Sequence, residues 1–213
     1  MKNFVNLTPQ GYRRIKIGRN LSTSNIEIKD LTKAWFFVSL AFAIVLGGFS
    51  FAIFKSLIIT AIVVGTGFLL HELAHKIIAQ RYKMFAEFRA FNEMLFLALI
   101  MSVFGFVIAA PGAVMITGHK ISLSKNGKIS VVGPLTNLVL CILFGLVYFM
   151  SSNFIQLVAA YGAKINIMLA MFNMIPFSLF DGAKIFKWSK IIWISVLVLS
   201  IGLFILSFKY III

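Results

Sequence analysis

Leu69-Leu70-His71-Glu72-Leu73-Ala74-His75 sits inside an apolar run that extends over residues 57–80. A run of about 20 apolar residues is long enough to cross a bilayer as a helix, so the spacing of its few polar residues is read on a helix. Residues i and i+4 share one face, and His71 and His75 can therefore present two imidazoles to a single metal ion. Glu72 projects near that face, where its carboxylate can take a proton from a water held by the metal. This is the physical logic of H-E-x-x-H zinc sites. With three His and four Glu in 213 residues, the pattern arises by chance roughly once in a thousand such chains. The bland alternative is a pair of buried histidines satisfied by their neighbours.

The rest of the composition supports a bilayer setting. The chain is 61% hydrophobic and 12% charged, whereas soluble domains are about half apolar and a quarter charged. Its apolar runs are continuous rather than alternating, which excludes an outer-membrane barrel. The expected fold is an all-α polytopic membrane protein with a small β-hairpin. Five full transmembrane helices are expected at residues 34–54, 57–80, 129–150, 154–180 and 188–208, together with one re-entrant or incomplete apolar segment at 94–110. The hairpin is expected around Asn126-Gly127, between the alternating runs Ile121-Ser122-Leu123-Ser124-Lys125 and Lys128-Ile129-Ser130-Val131-Val132, because Asn-Gly accepts the positive φ that a tight hairpin turn demands. Residues 1–33 are expected to form a basic arm, and 34–213 a single membrane domain. Within the arm, Arg14-Ile15-Lys16-Ile17 and Ile26-Glu27-Ile28 alternate like short strands, and Asp30 is a candidate cap for the first span. The arm has no apolar leader, so the first span is expected to direct insertion.

The net charge of +14 does not point to nucleic acid, because the Lys and Arg lie beside apolar spans, as cytoplasmic loops facing anionic lipid do. With the N-terminus cytoplasmic and residues 94–110 crossing only part-way, Lys55, Lys164 and Lys209 alone fall outside. The expected location is a prokaryotic plasma membrane, with lipid and a transmembrane protein or peptide substrate as partners. The single Cys141 lies in an apolar run and reads as a small packing residue.

A catalytic zinc takes three protein ligands and keeps one position for water, so a third ligand is needed. Glu27, Asp30, Glu87 and Glu93 lie in or beside basic loops, where a solvated charge is the ordinary explanation. His119 and Cys141 are weaker candidates. Asp181 closes the run Met174-Ile175-Pro176-Phe177-Ser178-Leu179-Phe180-Asp181-Gly182, and an ionisable group at such depth is costly and reads as functional. His71 lies about 21 Å along its helix, toward the cytoplasmic end. Asp181 reaches that end only if residues 94–110 do not cross completely.

These residues resemble the site-2 protease family of intramembrane zinc metalloproteases, peptidase family M50. His71-Glu72-Leu73-Ala74-His75 is similar to its zinc motif. Asn173-Met174-Ile175-Pro176 followed by Asp181-Gly182 resembles its N-x-x-P-x-x-x-x-D-G motif, and Gly133-Pro134-Leu135-Thr136-Asn137 its intervening Gly/Pro/Asn element. The resemblance implies one catalytic zinc ion on His71, His75 and Asp181, Glu72 as general base, and a substrate-side role for Asn137 and Asn173. A non-enzymatic protein that uses the metal as a structural clasp, or carries it across the membrane, remains the alternative. An extended substrate would need a strand edge, which the Asn126-Gly127 hairpin or the strand at 113–117 before it could offer.

Overall fold

The computed structural model describes residues 14–17, 21–107, 111–117, 121–177 and 180–212. Two short strands, β1 (Arg14–Ile17) and β2 (Leu21–Ser24), pair antiparallel and lead directly into α1 (Asn25–Gly47). Ser24 caps α1, its hydroxyl accepting the Glu27 N–H at 3.2 Å. The helix therefore begins a turn and a half before Asp30, which is not the cap and pairs with Lys33 at 3.3 Å instead. Ile26 and Ile28 belong to this helix and not to a strand. Gly48, at φ 58°, ends it, a conformation that only glycine adopts without strain.

The motif helix α2 (Ala52–Arg81) follows, and then β3 (Phe85–Ala90), α3 (Asn92–Val103) and β4 (Gly112–Thr117). β3 and β4 pair antiparallel, with Phe88 opposite Val114. The Phe91 N–H donates to the Pro111 carbonyl at 3.0 Å, so the chain that leaves through α3 returns to the point it left. At 1.5 Å per residue the 12 residues of α3 reach about 18 Å, short of the roughly 30 Å hydrocarbon core. This is the incomplete crossing anticipated at 94–110, whose last residues lie outside those described. Leu95 packs α3 against Ala34 and Val38 of α1.

Residues 123–150 form one helix, α4 (Leu123–Met150), followed by α5 (Asn153–Asn173), the short α6 (Asp181–Trp188) and α7 (Lys190–Tyr210). The hairpin expected around Asn126-Gly127 is not formed. Ser122 caps α4 by accepting the Lys125 N–H at 3.3 Å, and Gly127 faces Trp188, where a Cβ would collide with the indole. The alternating polar residues are therefore the first turns of a helix packed on α6. The small antiparallel sheets lie elsewhere, at β1–β2 and β3–β4. Helices α1, α2, α4, α5 and α7 are long and apolar enough to cross a membrane, which makes this an integral, multi-pass membrane protein. The run expected as one span at 154–180 ends as a helix at Asn173, and Asp181 opens a new helix.

A buried polar cluster joins the N-terminal elements to α2 and β3. The Glu27 carboxylate is wholly buried; it accepts from Thr23 Oγ1 at 2.6 Å and from the Phe88 N–H at 2.9 Å, and pairs with Lys76. Glu87, also buried, takes Arg89 at 2.6 Å and the Ser24 hydroxyl at 3.1 Å. Gln80 bridges Ser22 and the Ala86 carbonyl, at 2.9 Å each. Neither Glu27 nor Glu87 is the solvated charge that its basic surroundings suggest. Removing one partner of a buried pair leaves an uncompensated charge and costs about 3–5 kcal/mol. Glu27→Ala is accordingly expected to destabilise the protein by that amount in detergent melting, and Glu27→Gln combined with Lys76→Met to recover most of the loss.

Candidate metal centre

His71 and His75 occupy successive turns on the buried side of α2, and the chain brings Asp181 to them from the first turn of α6. The Nε2 atoms of the two imidazoles are 3.0 Å apart, and Asp181 Oδ2 lies 2.9 Å from His75 Nε2 and 3.4 Å from His71 Nε2. All three residues are buried. Three atoms at these separations share a point about 2 Å from each, the length of a zinc–nitrogen or zinc–oxygen bond.

The chemistry of the donors fits a cation. His75 Nδ1 lies 2.7 Å from the Ile129 carbonyl; a carbonyl only accepts, so Nδ1 carries the hydrogen, and in the neutral ring that tautomer turns the Nε2 lone pair inward. That arrangement, one ring nitrogen donating to a backbone carbonyl and the other left for the metal, orients a ligand imidazole. His71 Nε2 and a carboxylate oxygen converge on the same point, and with both rings neutral such a convergence is relieved only by a proton or a metal cation within it. The donor set is nitrogen and oxygen, two imidazoles and one carboxylate, as zinc accepts.

Helix α4 closes the site from one side. A Cβ on Gly133 would run into both imidazoles, so only glycine lets that backbone approach. Pro134, next along, offers no N–H to the Ser130 carbonyl one turn back, and Ser130 lines the cavity beside the cluster. This cavity, of about 170 Å³, is also bordered by His71, Glu72, His75, Asn137, Asn173, Asp181 and Lys184. Glu72 thus stands on the same wall as the cluster. Asn137 is fully buried, with neither its amide oxygen nor its amide nitrogen partnered. Asn173 donates Nδ2 to the Leu169 carbonyl at 2.9 Å, which leaves its amide oxygen for the cavity.

Among the described residues, His71, His75 and Asp181 form the group able to hold a metal ion. Glu27, Asp30 and Glu87 are engaged elsewhere as described above, Cys141 packs in the apolar core among α4, α5 and α7, and His119 lies outside the described residues. Two contributors escaped sequence reading. Gly133 was visible as part of a Gly/Pro/Asn element without its contact to the imidazoles. Lys184 counted only as a basic charge, although its i+3 spacing from Asp181 was the available signal; its Nζ lies 3.3 Å from Asp181 Oδ1.

A curated protein of Methanocaldococcus jannaschii named "putative zinc metalloprotease" is 40% identical to this chain over 173 residues, covering 80% of the chain and 88% of that protein. No family model matches the chain, and no solved structure matches it.

The glycine contact gives a direct test. Gly133→Ala is expected to displace the imidazoles, lower bound zinc measured by elemental analysis at least tenfold, and destabilise by about 1–3 kcal/mol. Gly145→Ala on the same helix, where a Cβ meets nothing nearer than Ile211 at 3.8 Å, serves as the control and should leave zinc content unchanged.

Proposed function

As this chain belongs to the zinc metalloprotease family of its archaeal relative, we propose that it is an intramembrane protease of the site-2 type, hydrolysing a peptide bond within or near a membrane-spanning segment of another protein. The observation that carries this reading is depth. His71 and His75 sit on α2, a 30-residue helix apolar enough to cross a membrane, and Asp181 joins them from α6, with all three side chains buried inside the protein. A structural clasp fits less well, because the group borders a cavity and is not sealed on every side.

His71, His75 and Asp181 would hold the zinc, which when bound supplies Lewis acidity to the scissile carbonyl and lowers the pKa of water toward 7. Glu72 accepts the proton of the attacking water on its carboxylate and returns it to the leaving amide nitrogen. Asn137, with both amide atoms unpartnered, offers its N–H to the carbonyl oxygen as negative charge builds there. The Asn173 oxygen can accept a backbone N–H of the substrate. The N-terminal arm faces the cytoplasm on the positive-inside argument, and His71 then lies toward that side of a prokaryotic plasma membrane.

A helical substrate hides its backbone and must be extended before attack. Of the two edges of the β3–β4 sheet, that of β3 is covered, since the Phe88 N–H is taken by Glu27 and the Ala86 carbonyl by Gln80. These outward groups belong to even-numbered residues of β3, so by the register the partner residues Gly112, Val114 and Ile116 direct their own N–H and C=O away from β3. All three line the cavity of the metal group. β4 is therefore the edge on which a substrate strand can add.

Purified protein incubated with single-span peptides is expected to yield fragments, to stop when a chelator is added, and to resume when zinc is restored. Glu72→Gln should retain zinc and lose at least a thousandfold in kcat; a variant that still cuts rules out Glu72 as the base. Val114→Pro removes an outward N–H without touching the β3 pairing, and is expected to raise KM roughly tenfold with zinc content intact.

A further inference from the structure

The two oxygens of Asp181 are used differently. Oδ2 faces the imidazoles, while Oδ1 lies 3.3 Å from Lys184 Nζ. Lys184 is the fourth residue of the eight-residue α6, near the positive end of the helix dipole, where a cation is disfavoured. Its side chain is 44% exposed and has water available to it, yet it lies along the carboxylate and borders the cavity with Glu72, Asn137 and Asn173. With Lys184 half-exposed and its charge screened by water, the pair contributes little to folding, so stability does not account for the arrangement.

We propose that Lys184 is a positioning residue for the metal centre: its ammonium occupies Asp181 Oδ1, so the carboxylate offers the metal Oδ2 alone and the fourth coordination position stays open. A carboxylate can bind through one oxygen or both. When both bind, the added donor fills the place that hydrolysis needs for water. Lys184 prevents this by holding Oδ1 with charge and hydrogen bond together, and it turns the plane of the carboxylate so that Oδ2 meets the imidazoles. Side chains that hydrogen-bond a metal ligand typically govern 10–100-fold in metal affinity or activity.

This inference rests on the zinc reading above, and the test separates the two. Zinc affinity is measured by chelator competition for the parent protein and for Lys184→Met, Lys184→Gln and Lys184→Arg, with melting of each metal-free protein as the folding control. Lys184→Met is expected to bind zinc 10–100-fold more weakly while melting like the parent, with Lys184→Gln in between and Lys184→Arg restoring most of the affinity. Cobalt(II) substitution gives a second readout. The parent should show the intense visible absorption of four-coordinate cobalt, and Lys184→Met the weaker bands of five-coordinate cobalt as Oδ1 closes on the metal. Unchanged affinity and an unchanged cobalt spectrum in Lys184→Met, with the parent binding zinc normally, overturn the role of Lys184 alone. A parent that binds no zinc overturns both readings.

Discussion

Three electron-pair donors brought within 3.4 Å of one another are the constraint around which this molecule is arranged. Lone pairs at that distance repel unless a proton or a metal cation lies between them, so the fold sets up a place for such a charge. Two of the donors come from one helix and are placed by its periodicity. The third arrives from about 110 residues further along the chain, on a helix that begins at the donor itself. A carboxylate in a first helical turn is favoured by the helix dipole, which lowers the cost of burying Asp181 there. Gly133 completes the arrangement by letting α4 lie against both rings, and the Ile129 carbonyl fixes the tautomer of one of them.

Around this centre the protein contains a second buried polar system, that of Glu27, Lys76, Gln80 and Glu87. Lys76 follows His75 directly in sequence and lies four residues after Glu72, so the α2 face that carries the carboxylate of the site also carries the ammonium that ties α2 to α1. Through Glu27 and Gln80 the same system satisfies the outer edge of β3. One sheet edge is thereby closed by side chains, and the other is left bordering the cavity. The orientation of the sheet relative to the metal group follows from charge pairing as much as from apolar packing, which explains why two acidic residues in a very basic chain are wholly buried.

The apolar spans, the metal motif and Asp181 were legible in the sequence because each is a local pattern: run length, i,i+4 spacing and an ionisable group at the end of an apolar run. The short excursion through α3 was legible from charge parity alone. What could not be read depends on contacts between distant segments. Asn126-Gly127 has the local chemistry of a hairpin turn, yet Ser122 caps a helix and Trp188 demands a glycine at 127, and neither fact is visible within a short window. Glu27 and Glu87 looked solvated because their neighbours in sequence are basic; their partners in space, Lys76 and Ser24 among them, supply the compensation. Asp30 stands just before the apolar run and has the chemistry of a cap, but α1 begins earlier, at the end of the four-residue strand β2, where Ser24 takes that role.

The hydrogen bond from Phe91 to Pro111 sits at the neck of the α3 excursion. Because the two stems are already joined by β3–β4 pairing below that neck, chain length beyond it is decoupled from strand register. Changes of length between α3 and the neck therefore leave the interior alignment of the strands in step, whereas α3 itself is seated on α1 through Leu95. Because Val107 and Pro111 border the cavity of the metal group, what this excursion carries also shapes the wall that faces the chemical centre.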